Sequence, residues 1–254
     1  MTNGSNNLIL QPRDQLLMKA LSELRILTRD QAGALSGFHS TTRVNVRLSK
    51  LRRAKLIQRY FIAGATGSRC SVYALTRKGA QTAQLPFQPL KWSADSVIIG
   101  NAFAAHQLAL NDVRIAMSEP GPTLALWKTL DEPISPTAKL VPDALIERKI
   151  DDMWRSMFLE VDLGTETLPT WTKKVRHYLH LATSGEYKTI IRADRFGVLI
   201  VTESEARLRL LRTHIARLTP KLFWFTTLNN IKQQGFWSPI WLRPEGDQQT
   251  PPGA

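Results

Sequence analysis

Between residues 13 and 53 the chain sets out three apolar stripes at helical spacing, separated by two capping segments. Leu16, Leu17, Ala20, Leu21 and Leu24 fall on one face of a helix over 13–25. Thr28 followed three residues later by Gln31 is the capping-box spacing, which starts a second, short helix that Gly37 stops. Ser40 or Thr41 then caps a third helix, on which Val44, Leu48 and Leu51 recur at i, i+4 and i+7. Two strands follow at 56–62 and 70–75, joined by the glycine-rich segment AGATGSR. A short helix, a tight turn, a capped helix and a β-hairpin predict a winged helix-turn-helix over 13–80.

The side chains off the third stripe carry the chemistry. Arg43, Asn45, Arg47 and Lys50 are expected to project outward, with Ser40, Thr41 and Thr42 at the start of that helix and Arg53 at its end. Arg59 stands on the first hairpin strand and Arg69 near the tip of the wing. Arginine and asparagine make bidentate contacts to guanine and adenine edges, and hydroxyl and basic groups around them hold phosphates. The charge is placed accordingly. The chain carries a net +13, and residues 1–80 hold 14 Lys and Arg against 3 Asp and Glu. Residues 81–254 hold 20 against 18. Basicity gathered in one third of a chain predicts a surface that meets polyphosphate, and the expected partner is double-stranded DNA.

Residues 81–96, with two prolines and no period, read as a linker after that domain, and residues 1–12 as a flexible N-terminus. A helix is predicted over 97–117, strands over 122–130, 140–147 and 153–162, and a helix from Thr167 with Pro169 in its first turn. A strand at 196–204, a helix at 205–217 and a strand at 221–227 complete the order αβββαβ followed by αβ. Residues 97–242 are thus expected to form an α/β domain with a mixed sheet, and 243–254 a disordered tail. The single cysteine, Cys70, is read as a buried thiol and rules out an internal disulfide. No stretch is apolar enough to span a bilayer and the N-terminus lacks a basic signal region, so the expected location is cytoplasmic, with no membrane partner. Phosphate-cradling, nucleophile-elbow and zinc-protease patterns are absent, and the five histidines are scattered.

Asp143 follows Pro142 on the second strand, and Glu160 and Asp162, two apart on the third, project from one face of the sheet. With those strands adjacent, the three carboxylates converge and would hold Mg²⁺ or Mn²⁺, Asp143 and Glu160 serving as metal ligands.

In these positions the second domain resembles the PD-(D/E)XK, restriction-endonuclease-like fold, through Pro142-Asp143 and Glu160-Val161-Asp162. Over about residues 12–205 the chain resembles the replication-relaxation family of plasmid and mobile-element proteins. That resemblance rests on RDQLLMKALSELRILTRDQ, HQLALNDVR, PDALI and FLEVDLGTET, with Lys174 and Tyr178 after them. It implies a DNA transaction. The nuclease pattern asks for lysine where Asp162 stands, and that substitution removes a positive charge where negative charge develops. Lys173 or Lys174 on the following helix would be the displaced lysine.

Two functions are therefore expected. The first is a sequence-specific DNA-binding protein of a plasmid, phage or integrated element, acting in replication or transcriptional control. Its degenerate nuclease-like domain would serve dimerisation or contact with a replication or regulatory protein. The second is a metal-dependent nickase or endonuclease with Asp143, Glu160, Asp162 and Lys174 as its catalytic set and Mg²⁺ as cofactor.

Overall fold

In a computed structural model of the chain, residues 8–63, 69–90, 92, 97–98, 102–118, 125–137 and 139–252 are described. They form two compact units, one up to Asn111 and one from Asp112 onward.

In the first unit α1 (Pro12–Leu24), β1 (Leu27–Thr28), α2 (Arg29–Leu35) and α3 (Thr41–Arg53) precede a hairpin of β2 (Ile57–Ala63) and β3 (Arg69–Leu75). Then come α4 (Arg77–Ala83), β4 (Val97–Ile98) and the start of α5 (Ala102–Met117). The capping box of α2 is present: Thr28 Oγ1 accepts from the Gln31 N–H, and Gln31 Oε1 accepts from the Thr28 N–H. Leu17, Met18, Leu21 and Leu24 of α1 pack with Ala32, Val44, Leu48 and Leu51. Leu16, expected on that face, points to solvent. The sheet order is β1-β3-β2-β4, with Tyr60 opposite Val72 in the antiparallel hairpin and β4 parallel to β2.

The segment 81–96, expected as a linker, does not end this unit, because the start of α5 belongs to it. Ala104 packs with Ile26, Tyr60 and Val72. Asn111, fully buried, donates to Ile26 O at 2.7 Å and accepts from Gln107 Nε2 at 2.9 Å. Buried amides need such partners, and these fix the helix to the first unit up to that residue.

The second unit contains β5 (Ala125–Thr129), β6 (Ala144–Ile150), β7 (Met153–Asp162), α6 (Leu168–Ser184), β8 (Phe196–Thr202), α7 (Glu205–Ala216), β9 (Phe223–Thr227), α8 (Leu228–Gln234), β10 (Trp241–Leu242) and β11 (Gln249–Thr250). A single 3-10 turn, Glu186–Thr189, links α6 to β8. Together the strands make a seven-stranded mixed sheet in the order β11-β10-β9-β8-β7-β6-β5. The β5-β6-β7 segment is an antiparallel meander, whereas β7-β8-β9 run parallel through the crossover helices α6 and α7. Asp151 and Asp152, both at positive φ, make the two-residue turn between β6 and β7. Trp171, Val175, Tyr178 and Leu181 of α6 and Leu208, Leu211 and Ile215 of α7 cover one face, on Phe158, Val198, Ile200 and Phe223. β8 is buried along its whole length, as a strand covered on both faces must be. The segment expected as a disordered tail carries β11, which pairs with Trp241–Leu242. Among the described residues no helix is long and apolar enough to cross a membrane.

Candidate functional site

The end of β7 gathers the charged side chains of the second unit. Phe158, Glu160 and Asp162 alternate onto the face that α6 and α7 cover. At the β7–α6 turn Gly164 adopts φ +78°, and its N–H donates to Asp162 Oδ1 at 2.7 Å. Thr167 caps α6 through the Thr170 N–H, so the helix starts beside the strand end and runs back over the sheet. Its successive turns bring in Trp171, Lys174 and Tyr178. Arg207 enters from the first turn of α7, which Ser204 caps.

Glu160 is 2% exposed. Tyr178 Oη donates to its Oε1 at 2.7 Å and Lys174 Nζ to its Oε2 at 2.8 Å. Lys174 also lies 2.8 Å from Glu166 Oε1, so one ammonium serves two carboxylates. Burial raises the Glu160 carboxyl to about 7; Lys174 pulls it down and the neighbouring charge of Asp143 pushes it up. Burial alone would lower Lys174, but the charge of Glu160 and the bonds to both glutamates outweigh it and hold the ammonium protonated. Burial and the Glu160 charge raise the Tyr178 phenol well above its ordinary value, so it stays a donor.

Asp162, expected among the catalytic carboxylates, is held by several donors. Arg207 clamps it with two bonds of 2.8 Å, the Trp171 indole N–H donates at 2.6 Å, and the Gly164 N–H takes the remaining direction. Burial pushes this carboxyl up, but those donors win and hold it below the usual range. Asp143 stands just before β6, half-exposed, and its Oδ2 accepts from the Val161 N–H at 2.7 Å. Asp143, Glu160 and Lys174 are thus brought together as the sequence predicts, whereas Lys173 is exposed.

A divalent cation at Glu160 or Asp162 would have to displace the donors these carboxylates already accept from. A hard octahedral cation takes deprotonated oxygens at about 2.0–2.1 Å with several waters. Here both oxygens of Glu160 already hold proton donors, one of them an ammonium, and both oxygens of Asp162 are occupied. Among the described residues no group of three or more His, Cys, Asp and Glu is placed to hold a metal ion.

In the first unit α3 buries Val44, Leu48 and Leu51 and exposes Thr41, Thr42, Arg43, Asn45, Val46, Lys50 and Arg53. Ser40 occupies the N-cap position, without a side-chain cap bond. Arg47 departs from its expected outward role. It is 9% exposed, pairs through Nε and Nη2 with the fully buried Asp14 of α1, and donates to Ile9 O at 2.9 Å. Asp14 in turn accepts from the Gln11 N–H at 2.6 Å. Arg47 is one turn before Leu51 on the inward side, and its guanidinium is consumed as a tie between α1 and α3. Arg69 is exposed at the start of β3; Arg59 is half-buried, its guanidinium 4.7 Å from the Phe61 ring centroid. Cys70, expected to be buried, is exposed beside Arg69, opposite Ile62 at the end of the hairpin nearest the β2–β3 connection. The glycine-rich tip, 64–68, lies outside the described residues.

Sequence reasoning missed Arg207, Trp171 and Glu166. No local pattern signals them, since each acquires its role only when α6 and α7 are laid on the sheet.

These features define a two-unit α/β protein, one unit a helical domain with a basic face and a hairpin, the other a mixed sheet with an internally neutralised carboxylate cluster. The chain belongs to the replication-relaxation family, whose sequence model matches residues 18–192. No curated protein matches it. Two solved structures are similar at a distance: the restriction endonuclease FokI bound to DNA, at 12% identity and TM-score 0.32, and FokI alone, at 10% and 0.33. Each covers 91% of this chain, which spans 45% of theirs. At such TM-scores the fold rests on the chain's own strand order.

Proposed function

We propose that this chain is a sequence-specific double-stranded DNA-binding protein of a plasmid, phage or integrated element, acting in replication or transcriptional control. The first unit is then a winged helix-turn-helix, with α3 as recognition helix and the β2–β3 hairpin as wing. The observation that carries this reading is the outward face of α3. Thr41, Thr42, Arg43, Asn45, Lys50 and Arg53 lie in solvent opposite the buried stripe of Val44, Leu48 and Leu51. Arg43 and Asn45 near the N-terminus of that helix are of the types that read base edges, and Lys50, Arg53 and Arg69 would hold phosphates.

The second unit carries the β5-β6-β7-α6-β8 run expected of a restriction-endonuclease-like domain, whereas α5, the helix before that run, lies up to Asn111 in the first unit. Lys174 and Arg207 neutralise from within the carboxylates that a nuclease would present to metal. Its role is assembly: a two-fold homodimer would set two α3 helices one helical turn apart on DNA, with a replication or regulatory protein as a further partner.

Fluorescence anisotropy on DNA from the protein's own genetic element tests the reading. Saturable binding that weakens steeply with salt supports it. Metal-dependent nicking of supercoiled DNA that disappears in Asp143→Ala and Glu160→Ala would replace it with the nuclease reading.

A further inference from the structure

A cavity of about 340 Å³ opens beside the N-terminal ends of β7 and β8, the edge of the sheet opposite Glu160 and Asp162. Arg155, Arg195 and Arg243 line it together with Trp224, Gly197 and Ser156. None of the three arginines has a carboxylate partner among the described residues. Arg207 in this unit is, by contrast, paired with Asp162.

Two of the residues lining this cavity carry an orphaned buried donor. Trp224 is 8% exposed, and its indole Nε1–H is buried without an acceptor. Nη1 of Arg243 is in the same state, although its Nη2 reaches Pro220 O at 3.4 Å. The guanidinium of Arg243 stacks on the Trp224 ring at 4.0 Å, which fixes both groups. Gly197 makes room for the ring: a Cβ there would stand 2.5 Å from Trp224 Cζ3. Buried donors left unmade are costly, so native proteins pair nearly all of them. Three arginines without a carboxylate partner line one opening, and two of the lining residues hold an orphaned N–H, a combination that asks for an acceptor with several oxygens and negative charge. Planar guanidinium forks match phosphate oxygens.

We infer that this cavity is a phosphate-binding site, formed by Arg155, Arg195, Arg243 and the Trp224 indole N–H. It is independent of the carboxylate cluster and of α3. The phosphate is either a free monoester, as on a mononucleotide, or a diester of a nucleic-acid strand. The shared chemistry is a tetrahedral oxyanion.

The test is ³¹P NMR and tryptophan-fluorescence titration of the full chain with inorganic phosphate, a 5′-deoxynucleoside monophosphate, and a dinucleotide carrying only a phosphodiester. Binding of the first two assigns a free phosphate monoester, and binding of the dinucleotide assigns a strand. In either case Arg195→Ala, at an exposed position that leaves packing intact, weakens binding by about tenfold, the worth of a charge-assisted hydrogen bond. Trp224→Phe, which keeps a ring and removes only the N–H donor and the indole's second ring, weakens it several-fold. Saturable binding by none of the three probes overturns the site, as does binding that both variants leave unchanged while circular dichroism shows them folded.

Discussion

Lys174 of α6 donates to Glu160 of β7 at 2.8 Å from a position where it also meets Glu166 at 2.8 Å. The ammonium lies against the carboxylate that a nuclease of this topology would give to metal. Lys174 is also the residue expected as the displaced lysine of the nuclease reading, so this contact joins two members of the expected set.

Its first consequence is a pH dependence. Glu160 rises from an ordinary carboxylate value to about 7 in the folded chain. A raised acid favours the folded state fully below its unfolded pKa of 4.5, and that contribution is lost as pH rises through about 7. Denaturation of the wild type and of Glu160→Gln, followed from pH 4 to 8, isolates it. The wild type loses up to about 3 kcal/mol relative to the variant across that window, since each pKa unit is worth about 1.4 kcal/mol. A constant difference between the two would show that Glu160 titrates normally.

Asp162 behaves oppositely, because Arg207, Trp171 and Gly164 hold its carboxyl low. It contributes at neutral pH, and the contribution is lost as pH falls below its ordinary 3.8. Arg207→Ala leaves this buried carboxylate without its cation and should cost about 3–5 kcal/mol in urea unfolding, with much of that regained in Arg207→Ala/Asp162→Asn. A loss under 1 kcal/mol would place the pair among weak surface contacts.

If the carboxylate cluster takes no divalent cation, Mg²⁺ or Mn²⁺ leaves the thermal midpoint of the chain unchanged, because a ligand raises stability only by binding the native state. Lys174→Met removes the ammonium from Glu160 and is the variant in which a metal-dependent rise would first emerge. A rise already present in the wild type contradicts the occupied-oxygen geometry.

The legible parts of this molecule were those set by local pattern. The capping box at Thr28, the stripe of Val44, Leu48 and Leu51, the extent of β7 and the cap of α6 at Thr167 all follow from residues within one turn or one strand of each other. The alternation that puts Glu160 and Asp162 on one face is equally local. The inward place of Arg47 was legible, three residues after Val44 and four before Leu51, but its partner was not, because Asp14 lies 33 residues away. Arg207 lies 45 residues from Asp162 for the same reason. The unit boundary within α5 depends on Asn111 reaching Ile26, 85 residues back. β10, β11 and α8 are too short to carry a period.

The sharpest test of the account compares two arginines four residues apart on α3. Arg43 is exposed and Arg47 is tied to Asp14. Arg43→Ala should weaken cognate DNA binding by about 1–3 kcal/mol in fluorescence anisotropy and leave the urea midpoint unchanged. Arg47→Ala should lower the urea midpoint by an amount equivalent to about 3–5 kcal/mol, with the binding that remains per folded molecule retaining its salt slope. Loss of binding confined to Arg47→Ala, with Arg43→Ala indistinguishable from the wild type, would contradict α3 as the DNA-reading helix.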